Sequence, residues 1–104
     1  MPVDAPVLDT LTDINATSIE HSQLMPRELM LARIAALVAV DAPPASYLAN
    51  AGAAADSGIT ERDVQDVLIA VAPVVGTAKV VSAAGNLMRA LGFAIKVAEA
   101  DIST

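Results

Sequence analysis

Apolar residues recur along most of this chain at the three- and four-residue spacing of a helix face. The densest stretch, residues 58–94, reads GITERDVQDVLIAVAPVVGTAKVVSAAGNLMRALGFA. Thr60 with Asp63 three residues on forms a capping box with Asp in place of the usual Glu, which opens a helix. Val64, Val67, Leu68 and Val71 then share one face. Pro73 removes a backbone donor, and Gly76 marks a turn. Thr77 is placed to cap a second helix, whose Val80, Val81, Ala84, Leu87, Met88, Leu91 and Ile95 form a longer apolar stripe. The spacing predicts an antiparallel helix pair at the centre of the fold.

Three further helices are expected ahead of that pair. Between Asp4 and His21, Val7, Leu8, Leu11, Ile14 and Ile19 follow a helical spacing, with Asp4 and Asp9 near the positive end of the helix dipole. Asn15, Thr17 and Ser18 compete for backbone hydrogen bonds, so a break or fraying is expected there. Pro26 suits the first position of the next helix, which runs to about Val40 and is apolar nearly all round. Arg33 interrupts that apolar surface. A guanidinium there is costly unless it snorkels or pairs, so a carboxylate from another helix or subunit is its expected partner. Asp41-Ala42-Pro43-Pro44 stops the helix, because the residue before a proline leaves the helical region.

The next helix, about Ala45 to Asp56, is Ala-rich and ends at Gly58. Its small residues let backbones approach closely, and its polar members are Ser46, Tyr47 and Asn50. Beyond the central pair, Gly92 offers a kink. Phe93, Ile95, Val97 and Ala98 predict resumption of the helix to about Ala100, before a frayed tail from Asp101 to Thr104. No stretch alternates as a strand would, so the fold class is all-α, a single domain over residues 1–104.

Composition narrows the function classes. Hydrophobic residues make up 55% and aromatics 2%, so the core must be built from Ala, Val, Leu, Ile and Met. With a mean hydropathy of +0.57, that apolar content exceeds what about 100 residues can hide alone, and a homo-oligomer is expected. The net charge of −6 and pI near 4.4 argue against nucleic acid and anionic membrane surfaces as partners. The N-terminal residues lack the basic and apolar regions of a signal peptide, and the apolar run from Leu29 to Val40 is too short to span a bilayer and contains Arg33. A cytoplasmic location is the expectation.

Candidate chemistry is sparse. The chain has no cysteine, which removes thiol chemistry and thiolate metal sites. The single histidine, His21, sits on a polar helix end and has no serine elbow or metal-ligand partner in the pattern. Neither a metal nor a cofactor is expected. Ser46, Tyr47 and Asn50 remain as a polar trio beside an apolar wall, able to hydrogen-bond a carbonyl or carboxylate or to satisfy one another at a subunit contact.

The order of these parts carries a resemblance. Arg27-Glu28-Leu29 opens one helix, an Ala-rich helix follows, then Gly58-Ile59-Thr60-Glu61-Arg62-Asp63-Val64 and the apolar run Val67 to Gly76. Over Met25 to Gly92 this resembles the carboxymuconolactone decarboxylase-like family, which includes the AhpD alkylhydroperoxidases. Residues 1–24 would form an N-terminal helix outside that core. The resemblance implies an AhpD-like bundle of about five helices, assembled as dimers gathered into trimers or hexamers. It also implies one of two activities, decarboxylation of a lactone acid or peroxide reduction through a Cys-x-x-Cys pair with a nearby histidine.

On this chain the family's histidine falls on Asn50, its cysteines fall on Pro43 and Ser46, and its glutamate resembles Glu28. The expectation is a family member without thiol peroxidase chemistry that binds a small carboxylate or serves as an oligomeric accessory protein. The alternative is a cofactor-free lyase acting on a small lactone or cyclic acid. In it Glu28, Tyr47 and Asn50 would be catalytic, and Arg33 and Ser46 would bind substrate.

Overall fold

Prolines open three of the helices, where a missing N–H costs nothing and the fixed φ is already helical. The computed structural model describes residues 5–91. These form α1 (Pro6–His21), α2 (Pro26–Ala39), α3 (Pro44–Asp56), α4 (Glu61–Val75) and α5 (Thr77–Leu91). No strand occurs among the described residues, and no helix among them is long and apolar enough to cross a membrane. The expected continuation through Ile95 to Ala100 lies outside the described residues.

The α4 start is a reciprocal capping box. Asp63 N donates to Thr60 Oγ1 at 3.1 Å, and Thr60 N donates to Asp63 Oδ2 at 2.8 Å. The α3–α4 and α4–α5 connections turn at Gly58 (φ +78) and Gly76 (φ +91), conformations a side chain would strain. Thr77 is the first residue of α5, with Gly76 as the C-cap of α4. The α2–α3 turn is held from outside. Lys79 Nζ donates to Ala39 O at 3.0 Å, Ser82 Oγ to Asp41 Oδ1 at 2.6 Å, and Asn86 Nδ2 to Ala42 O at 3.1 Å. Polar side chains on one face of α5 thus engage the turn and occupy carbonyls that the end of α2 leaves without helical partners.

α4 and α5 pack on each other as expected, and α2 joins them at the centre of the fold, packing against α3, α4 and α5. Its Leu29, Met30, Ile34 and Val38 are buried, together with Tyr47 of α3, Val64, Val67 and Leu68 of α4, and Ala83, Ala84 and Leu87 of α5. The α5 stripe holds at Val80, Ala84, Leu87, Met88 and Leu91, with one exchange. Ala83 takes a core position while Val81 is 55% exposed, because a helix so rich in alanine can approach its neighbours through small residues.

α1 departs most from expectation. It runs unbroken through Asn15, Thr17 and Ser18 to His21, and none of its residues is buried. Asn15 finds its partner in Arg33 of α2, so it does not compete for its own backbone. The apolar stripe of α1 is present but bare: Val7, Leu8, Leu11, Ile14 and Ile19 are all exposed.

Candidate functional site

A cavity of about 210 Å³ opens between α2, α3, α4 and α5. Its walls are apolar, with Ile34 and Leu37 from α2, Ile59 from the α3–α4 connection, and Leu87 and Leu91 from α5. The alanines of α3 leave the space. Ala51, Ala54 and Ala55 line the cavity, where larger side chains would fill it. Among the described residues, only Tyr47 and Asn50 bring side-chain polar atoms to the lining.

Asn50 is half-buried and its amide is oriented. Its Nδ2 donates to Ser46 O one turn back at 3.0 Å, and its Oδ1 accepts from Arg33 Nη1 at 3.5 Å. Arg33 lies in a groove that adjoins the cavity. Leu37 and Asn50 line both, and α1 closes the outer side of the groove with Leu11, Ile14, Asn15 and Ser18. Arg33 Nη1 also donates to Asn15 Oδ1, and its Nη2 to Asn15 O at 3.4 Å. Among the described residues of the chain, amide oxygens stand where a carboxylate partner of Arg33 was expected. The ion pairs of the described residues form elsewhere, Arg27 with Asp63 and Arg62 with Asp66. Amide oxygens orient a guanidinium without neutralising it, so its positive charge stays available to an anion.

Tyr47 is 3% exposed, and its hydroxyl is buried with no hydrogen-bond partner among the described residues. Burial, and then the negative charge of Asp41, push its pKa up to about 12. The phenol is a neutral donor across the physiological range and has no base character there.

The other candidate residues stand apart. Glu28 is exposed at the first turn of α2, where its Oε1 accepts from Met25 N at 3.1 Å, and it lines neither the cavity nor the groove. Ser46 meets Asn50 through its backbone carbonyl and does not line the cavity. His21 is exposed at the last turn of α1. Among the described residues, no cluster of three His, Asp or Glu side chains could hold a metal ion.

Sequence reasoning missed Asn15, treating it as a weak point in a helix. A signal existed in its spacing, since residues 11, 14, 15 and 18 share one helical face on which Asn15 and Ser18 make a polar seam.

One family model matches the chain, that of the carboxymuconolactone decarboxylase family, over residues 5–89. No curated protein and no solved structure matches it. The matched span takes in α1, which the sequence resemblance, starting at Met25, left outside the family core.

Proposed function

The chain belongs to the carboxymuconolactone decarboxylase family, and from that premise we propose that it binds a small carboxylate and does not reduce peroxides through thiols. The observation that carries this is the pairing of an apolar cavity with Arg33 in the groove beside it, oriented by Asn50 and Asn15 and paired with no carboxylate among the described residues. An apolar wall with a few convergent polar groups is the usual construction of a small-molecule site. With no cysteine in the chain, neither a sulfenic acid nor a disulfide can form, and the thiol route is closed.

Binding is favoured over the lyase alternative by what lines the cavity. Decarboxylation of a lactone acid by general acid–base chemistry needs a group that exchanges a proton near neutral pH. Among the described residues the one titratable side chain in the lining is Tyr47, whose pKa is pushed up to about 12, while Glu28 caps the start of α2. The same protein is proposed to work as a homo-oligomer. The bare apolar stripe of α1, with exposed Leu48, Ile69 and Val74 on the body, supports that assembly.

Calorimetric titration with benzoate as the probe tests the binding role. Replacing Arg33 by Ala removes a charge-assisted contact of about 1.5–3 kcal/mol, so affinity should fall roughly 10- to 100-fold while the helical circular dichroism is kept. Equal affinity in the folded variant would remove Arg33 from the site.

A further inference from the structure

We infer that the ligand is a monocarboxylate with a compact apolar body, about one six-membered ring in size, whose carboxylate takes the place of Asn15 on Arg33. The inference rests on the carboxylate-binding role above and adds the chemical class of the ligand.

Volume sets the body. An apolar cavity of about 150 Å³ takes one benzene. At about 210 Å³ this one matches a ring with a short substituent and leaves little room for a fused second ring. Lining sets the polarity: apart from Tyr47 and Asn50, every wall residue is apolar, so a body bearing hydroxyls or charges would lose its hydration without replacement.

Charge sets the number of carboxylates. Among the described residues, Arg33 is the only cationic side chain lining the cavity or the adjoining groove, and its hydrogen bonds go to the oxygens of Asn15 and Asn50. One carboxylate is matched there in bidentate geometry, and a second would lie against apolar wall.

The displaced group is Asn15. A carboxylate entering the groove beside the cavity competes with the neutral amide oxygens of Asn15 for the same N–H donors, and a charged acceptor wins that exchange. Asn15 can yield because α1 buries none of its residues against the body of this chain. Asn50, fixed by its bond to Ser46 O, stays as the inner support.

Calorimetric titration of the intact protein tests the class with benzoate, cyclohexanecarboxylate, acetate, benzyl alcohol, phthalate and 2-naphthoate. Benzoate and cyclohexanecarboxylate should bind alike and at least about tenfold more tightly than the other four. Asn15→Ala should tighten benzoate binding. Asn15→Asp, which sets a carboxylate of the chain's own on Arg33, should weaken it about tenfold or more. If phthalate or 2-naphthoate binds as tightly as benzoate and Arg33→Ala abolishes both, the carboxylate site stands and the ligand class is overturned. If no carboxylate binds in an Arg33-dependent way, the site and the class fall together.

Discussion

Asn50 presents its carbonyl oxygen to Arg33, 3.5 Å from Nη1, because its amide nitrogen is committed to Ser46 O at 3.0 Å. The two residues belong to different helices, so the contact fixes the guanidinium of α2 by the backbone of α3. In the proposed site Asn50 is thus a positioning residue for Arg33, a role different from the ligand donor that its place in the sequence implied. Asn50→Asp would give Arg33 a carboxylate partner within the chain. Benzoate affinity should then fall about tenfold or more by calorimetry, whereas unchanged affinity would mean that Arg33 is not the anchor.

Tyr47 carries a buried hydroxyl with no partner among the described residues, and such a group costs about 1–3 kcal/mol. Tyr47→Phe should leave stability unchanged or raise it by about 1 kcal/mol in urea unfolding. A clear loss would reveal a partner for the hydroxyl. As the chain's single tyrosine, Tyr47 can be titrated by its phenolate absorbance, with a midpoint expected near 12 when folded and about 10 when unfolded. Its folded pKa is raised, so its contribution to stability is full below about pH 10 and lost as the pH rises through about 12.

Arg27 grips Asp63 through two bonds of 2.8 and 2.6 Å, and the Thr60 backbone N–H adds a third to the same carboxylate. The Arg27 bond first, then the Thr60 N–H, hold Asp63 well below the usual carboxylate range. A depressed folded pKa stabilises above the ordinary Asp value of about 3.9, and that contribution is lost as the pH falls below it. Asp63→Asn should therefore lower Tm at neutral pH by more than it does near pH 3. An equal loss at both would assign the effect to packing.

Much of the fold was legible because its signals are local. Thr60 with Asp63, Pro26 and Pro44 at first helical positions, and Gly58 and Gly76 each act within one turn, so neighbouring residues declare them. The contacts made at a distance were not legible. Nothing near Arg33 in the chain says that Asn15 will meet it, and the expectation of a carboxylate followed from a cost argument that amide oxygens also satisfy. The separation of Glu28 from Tyr47 was hidden for a similar reason: its role as a cap at Met25 N depends on how α2 begins, while Tyr47 is placed by how α3 packs on α5. The cavity was legible only in part. The alanines that open it could be seen, but not that Leu37, Ile59 and Leu91 would stand around them.

The exposed stripe of α1 leads to a mass. A helix with Val7, Leu8, Leu11, Ile14 and Ile19 all bare is poorly suited to a monomer in water, and closed symmetric assembly is the ordinary way to cover it. Static light scattering should give a small multiple of 10.6 kDa, and Leu11→Asp with Ile14→Asp should shift it toward the single-chain value. A wild-type protein at 10.6 kDa would show that the stripe stays uncovered.

The carboxylate site itself is tested most directly by amide chemical-shift mapping on titration with benzoate. The largest saturable shifts are expected around the cavity, at Leu37, Asn50, Ala54, Ile59 and Leu87, with the Arg33 side-chain resonance moving at the same benzoate concentration. No saturable shifts, or shifts confined to the exposed cations Arg62, Lys79 and Arg89, would contradict the site.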